Sequence, residues 1–196
     1  MPGPYLDTGN SVKLVFMTGK QPRYELPRAA PGPLREIQQF VNTIDLSHDR
    51  EWLTGWLEAQ GLESPGPSSL TRAREVREAI RDLLYANNGQ GPAGDGLGAL
   101  TTAANAAMLT IDFAETRLVP RAPGIDGILG RITVLCFAAM ADGSWKRLKC
   151  CRNRDCRWAF YDGSKNVSAT WCSMQICGNR SKTRAYRRRS SHEHRS

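Results

Sequence analysis

From Leu34 onward, apolar residues recur at steps of three and four. Leu34, Ile37, Val41 and Ile44 fall on one face with Phe40 beside them, the spacing of an amphipathic helix. A second helix is expected from about Asp49, a residue able to cap it, presenting Trp52, Leu53, Trp56 and Leu57 on one side until Gly61. The clearest helix runs from about Ser69 to Asn87 with Ala73, Val76, Ile80, Leu83 and Leu84 apolar. Its Arg72, Arg74, Arg77 and Arg81 interleave with Glu75, Glu78 and Asp82 at i,i+3 and i,i+4 spacing, which reads as a solvated, salt-bridged face. Leu97 to Met108 is expected to be helical and Leu109 to Pro120 extended. Ile125 to Met140 is a last helix whose apolar side holds Ile128, Leu129, Ile132, Leu135 and Cys136, with Gly127 and Gly130 weakening its start. Ahead of Pro31-Gly32-Pro33 the chain is irregular apart from a strand-like Val12–Phe16.

With 196 residues, 40% of them hydrophobic and 23% charged, the chain has the makeup of a folded protein with one main core and a small appendage, which excludes wholesale disorder and collagen-like repeats. The apolar run Ile132–Ala141 is about half the length a bilayer span needs, and Met-Pro-Gly-Pro-Tyr-Leu-Asp has neither the basic nor the apolar region of a secretory signal. A cytoplasmic protein with no membrane partner is therefore expected. The Gly-rich stretch 87–98 lacks the Gly-Lys-Ser/Thr ending of a phosphate loop, and the lone His48 stands in a loop-like Ser-His-Asp. Cys136 reads as a buried core thiol. No catalytic constellation is evident, and the protein is not expected to be an enzyme.

Charge and cysteine both concentrate at the C-terminal end. Residues 146–196 carry 14 Lys and Arg against three acids, a balance of +11, while residues 1–145 come to −3. A mildly acidic body with a strongly basic last quarter is the electrostatic footprint of a polyanion binder. Five of the six cysteines lie in that quarter, and in a reducing compartment such clustering points to metal or reactive thiols rather than disulfides. Four residues separate Cys151 from Cys156, fifteen follow, and four again separate Cys172 from Cys177. Two matched knuckles with a short insert describe a closed four-thiolate zinc site, structural rather than catalytic. Iron–sulfur ligation is the rival chemistry, and Cys150 is an alternative first ligand to Cys151, although matching the two loop lengths favours Cys151. Arg147–Cys151 and the aromatic Arg157–Asp162 suit a hairpin, with Trp158, Phe160, Tyr161 and Trp171 as its mini-core. After Cys177 a basic helix is expected. Arg180, Lys182, Arg184, Arg187, Arg188 and Arg189 are the candidate DNA contacts, most to phosphates and one or two to base edges.

Trp145-Lys-Arg-Leu-Lys, the run from Cys151 to Asn166, Trp171-Cys-Ser-Met and Cys177-Gly178-Asn179-Arg180 together closely resemble the CGNR-type zinc finger. Upstream, Phe40-Val-Asn-Thr-Ile-Asp and Trp56-Leu-Glu-Ala-Gln-Gly-Leu resemble the helical ABATE domain that accompanies this finger in bacterial regulators linked to stress. The resemblance implies a bacterial DNA-binding regulator in which Cys151, Cys156, Cys172 and Cys177 hold zinc. The expected architecture is an irregular segment over 1–33, a mainly α domain over 34–142, a small zinc-bound α+β module of treble-clef type (hairpin plus helix) over 145–189, and a disordered tail over 190–196. The expected function is zinc-dependent binding of duplex DNA in transcription regulation, with a homodimer as the usual partner arrangement. RNA binding and a protein-interaction adaptor are the alternatives.

Overall fold

The computed structural model describes residues 28–91, 94–184 and 187. The segment Val12–Phe16, Arg188, Arg189 and the tail 190–196 lie outside them. The body is built from α1 (Leu34–Val41), a hairpin of β1 (Ile44–Asp45) and β2 (Arg50–Glu51), α2 (Leu53–Ala59), α3 (Pro67–Ala86), α4 (Gly96–Ala106), a second hairpin of β3 (Thr110–Asp112) and β4 (Arg117–Val119), and α5 (Gly124–Ala141). This is the mainly helical N-terminal domain that the apolar spacing describes. α3 packs on α4 and α5, and α1 lies against α5 and α3, so Ile37, Phe40, Leu57, Ile80, Leu84, Leu129 and Ile132 meet in one core. Burying each such side chain contributes about 1.5–3 kcal/mol.

Three details differ from the periodicity. α1 stops at Val41 and Ile44 belongs to β1. The cause is Asn42, whose Nδ2 donates to the Ala159 carbonyl (2.9 Å) and whose Oδ1 accepts from the Ala159 N–H (2.8 Å); the side chain imitates a neighbouring strand, and the backbone turns to present it. Asp49 does not cap α2; it holds a φ of 50° in the turn between β1 and β2, and Trp52 precedes the helix. The basic positions of α3 are not all solvated, since Arg77 is 2% and Arg81 0% exposed. Arg77 donates to Thr43 Oγ1, Glu51 and Glu78, and the pair of guanidiniums from Arg74 and Arg77 holds the Glu51 carboxyl below its usual range.

α5 is longer and more apolar than the run Ile132–Ala141 suggested, with a mean hydropathy of 1.6 over its 18 residues, enough by length and composition to cross a membrane. One face of it nevertheless fills the core through Ile128, Leu129, Ile132, Cys136 and Ala139. Gly130 marks where α5 crosses the end of α4: a Cβ there would lie 2.4 Å from Ala107 Cβ and 2.9 Å from Pro120 Cβ. The glycine that weakens the helix in isolation is what lets it pack. Gly130→Ala is expected to destabilise the fold by about 1–3 kcal/mol through overpacking. Thermal unfolding checks this, and an unchanged or raised midpoint would show that α4 simply moves aside.

After α5, a 3-10 turn (Ser144–Arg147) leads into β5 (Leu148–Cys150), paired antiparallel with β6 (Ala159–Tyr161) in the register Lys149↔Phe160. This hairpin is not a separate appendage. Trp145, Leu148, Cys150 and Ala159 are members of the helical core cluster, and the outer edge of β6 is covered by Asn42, by Gln38 (Nε2 to the Ala159 carbonyl, 3.1 Å) and by the Arg28 carbonyl, which accepts from the Tyr161 N–H at 3.1 Å. An edge satisfied in this way cannot recruit another strand.

Candidate metal centre

Successive residues of a strand point to opposite faces, and this separates the adjacent cysteines at the end of β5. Cys150 enters the helical core, where burial pushes its thiol up to about 12. Cys151 enters a second cluster with Cys156, Trp158 and Cys177, flanked by Trp171 and Cys172. Its N–H donates to the Trp158 carbonyl (2.9 Å), extending the hairpin ladder to the site. In the first knuckle the Asn153 carbonyl accepts from both the Cys156 and Arg157 N–H groups (2.9 Å each), and Asn153 Nδ2 lies 3.8 Å from Cys177 Sγ as a donor to that sulfur. In the second knuckle Ser173 caps the turn: its Oγ accepts from the Ile176 N–H (3.3 Å) and its carbonyl from the Cys177 N–H (3.0 Å). The turn Met174–Gly178 is π-helical, a wide form frequent at functional positions. A Cβ on Gly178 would stand 2.5 Å from Met174 Sδ, so Met174, a flexible and exposed side chain, would have to move aside.

The sulfurs of Cys151, Cys156, Cys172 and Cys177 all lie within 4.8 Å of one another, with Cys156–Cys172 at 3.7 Å and Cys172–Cys177 at 3.8 Å. Four thiolates bound tetrahedrally at about 2.3 Å stand about 3.8 Å apart. A disulfide needs about 2.05 Å, and all the cysteines are free. The donor set and its spacing thus fit a tetrahedral thiophilic cation. The thiols also polarise one another: hydrogen bonding with Cys156, then with Cys172, draws Cys151 down, whereas Cys151, then Cys156, raises Cys172.

This geometry coincides with the outcome of comparison to known families. The model for the CGNR zinc finger matches residues 147–190, and the ABATE model, described as "putative stress-induced transcription regulator", matches residues 36–131. The chain is an ABATE-domain protein with a CGNR zinc finger. No curated protein matches it.

In this CGNR finger the segment between the knuckles is fastened by a buried ion pair that sequence reasoning missed. Lys149 Nζ donates to Asp162 Oδ2 (2.8 Å) and to the Val167 and Ala169 carbonyls (2.6 and 3.3 Å), while Asp162 also accepts from Ser164 and the Ala169 N–H. The loop that returns the chain to Cys172 is thereby folded around an ammonium group. The CGNR tetrapeptide opens a helix over 179–184, with Arg187 also helical. Arg180, Lys182, Arg184 and Arg187 are all exposed, and Arg184 pairs with Asp155 of the first knuckle at 2.6 Å, joining the helix to the metal loop. Gln175, Ile176, Asn179, Arg180, Thr183 and Arg187 line a shallow groove along this face. Trp158 and Phe160 are buried, which removes them as base-stacking surfaces. His48 sits in the β1–β2 turn with Nδ1 2.7 Å from Asp45 Oδ2, and the neighbouring Ser47 Oγ donates to the Asp155 carbonyl.

Proposed function

We propose that this protein is a zinc-dependent transcription regulator of the bacterial cytoplasm that binds duplex DNA through the helix following Cys177. The observation that carries this is the placement of an exposed row of cations directly after the last metal ligand. Cys151, Cys156, Cys172 and Cys177 would hold zinc, which supplies rigidity and no chemistry of its own in a closed four-thiolate site. The thiolates fix the second knuckle, the π-helical turn leads directly into the helix, and the Arg184–Asp155 pair ties the helix to the first knuckle. Arg180, Lys182, Arg184, Arg187, Arg188 and Arg189 then meet the DNA, most at phosphates and one or two at base edges in the major groove. The role is binding rather than catalysis, and a homodimer on a two-fold site is the expected assembly. The packing of Trp158 and Phe160 into the interior favours duplex DNA over single-stranded RNA, whose recognition relies on stacking.

Selection of the zinc-loaded chain on a random duplex library, with Cys172→Ala alongside, tests the reading. A motif enriched by wild type alone is expected, with half-sites about 10 base pairs apart if the dimer forms. Neutralising about six phosphates should lower affinity about a thousandfold between 50 and 200 mM salt. A shallow salt dependence, or enrichment by both chains, would overturn it.

A further inference from the structure

The end of α3 reaches both knuckles of the metal centre. Asn88, 4% exposed and just past the helix, donates through Nδ2 to the Cys150 carbonyl (2.7 Å) and to the Thr170 carbonyl (2.9 Å). Its own carbonyl accepts from Arg152 Nε and a terminal guanidinium nitrogen at 3.2 and 3.1 Å. One residue of the helical domain thus holds the backbone just before Cys151, the side chain of the residue just after it, and the backbone two positions ahead of Cys172. Two turns back, Arg81 is wholly buried; its guanidinium donates to the Val41 carbonyl (2.5 Å), to Glu78 (2.9 Å) and to the Arg157 carbonyl (3.0 Å). Arg157 follows the ligand Cys156 directly, holds a φ of 45°, pairs with Asp82 and lies over the Tyr85 ring at 4.9 Å. Glu78, Arg81, Asp82, Tyr85 and Asn88 share one side of α3 and its extension; Arg81, Asp82 and Tyr85 meet Arg157 beside Cys156, and Asn88 meets Cys150 and Arg152, which flank Cys151, and Thr170, two positions before Cys172.

We propose that Arg81 and Asn88 are positioning residues of the metal centre, so that the affinity of the finger for its metal is set in the helical domain. The knuckle backbones are held in ligand geometry by side chains outside the finger, and the order of α3's last turn and the occupancy of the four thiolates become one linked equilibrium. Linkage is reciprocal: whatever shifts the end of α3 shifts metal affinity, and metal binding tightens the end of α3. This rests on the four-thiolate reading of the site.

The experiment titrates full-length protein with Co2+ and then displaces it with Zn2+ under chelator competition, for wild type, Asn88→Ala, Arg152→Ala and Leu100→Ala. Leu100 lies in α4 and packs in the body core, so its truncation lowers stability without touching a knuckle. Asn88→Ala is expected to weaken metal binding by about 10–100-fold, the usual range for an outer-shell partner. Arg152→Ala, which removes the partner of the Asn88 carbonyl from an exposed site and leaves α3 intact, should weaken it in the same direction. Both should keep the visible absorption of tetrahedral thiolate Co2+, and Leu100→Ala should bind as wild type. Hydrogen exchange of the wild-type amides at 84–89 gives a readout that does not depend on the variants folding, and metal removal should speed it. Affinities within threefold of wild type, an equal loss in Leu100→Ala, or α3 exchange indifferent to metal would overturn the proposal. Failure of wild type to take up one Co2+ would instead overturn the four-thiolate reading beneath it.

Discussion

Cys172→Ala is expected to abolish stoichiometric zinc binding and to destabilise the whole chain. A structural zinc site contributes about 10–16 kcal/mol in finger peptides, comparable to the whole net stability of a domain, about 5–15 kcal/mol. The finger has little to fall back on, because its own apolar cluster is Trp158, Trp171, Ile176 and the ligands themselves. Since Trp145, Leu148 and Ala159 are shared with the helical core, the loss should not stay local. A single cooperative transition moved to lower temperature by tens of degrees is expected, at about 2–4 °C per kcal/mol for a chain of this size. Metal stoichiometry and circular dichroism on heating check both parts. Cys151→Ala should behave in the same way, because Cys150 points into the helical core with its thiol pushed up to about 12 and cannot turn to the metal without emptying that core. Retention of one zinc by Cys151→Ala would show that Cys150 replaces its neighbour, and retention by Cys172→Ala would remove the second knuckle from the site.

The contrast between what the sequence made legible and what it did not follows from the range of the interactions. The ligand spacing is local, and matched knuckles have few ways to close, so Cys151, Cys156, Cys172 and Cys177 could be chosen before any fold was known. The helices α3 and α5 could be placed because each carries its own apolar stripe. What stayed hidden is the polar stitching between distant segments. Asn42 reads as the tail of a helix and serves as a strand edge for Ala159, 117 residues away. Arg81 resembled part of a solvated face and Asn88 part of a Gly-rich loop, because the partners that reach across the fold are backbone carbonyls, which have no signature in sequence. A signal did exist: Ala73, Arg77, Leu84 and Asn88 lie at helical spacing with Arg81 between them, so the buried cations share the side of α3 that carries apolar residues. Charge pairing within a helix and burial of the same charges elsewhere predict the same pattern, and only the packing separates them.

Asp162→Asn is expected to destabilise the folded protein by about 3–5 kcal/mol, as removing one partner of a buried ion pair does. The carboxylate is fully buried and the Lys149 side chain 6% exposed, so the variant leaves an ammonium with carbonyl partners and no counter-charge. Lys149→Met with Asp162→Leu removes both charges and should cost less than the single change. The pH dependence carries a definite sign. Burial raises the Asp162 carboxyl, but the Lys149 ammonium, the Ser164 hydroxyl and the Ser164 and Ala169 N–H groups outweigh it and hold it at about 2, below its ordinary 3.8. A carboxyl lowered in the folded state stabilises fully above its unfolded value and loses that contribution as pH falls through the folded one. The interval from 3.8 to about 2 corresponds to about 2 kcal/mol. Zinc release by protonation of the thiolates is common to both chains, and the difference in unfolding free energy between wild type and Asp162→Asn isolates the carboxylate. That difference should hold steady at neutral pH and shrink between pH 4 and 2. A difference that is small at pH 7, or that does not change on acidification, would mean that the loop is held by its carbonyl contacts to Lys149 and not by the charge of Asp162.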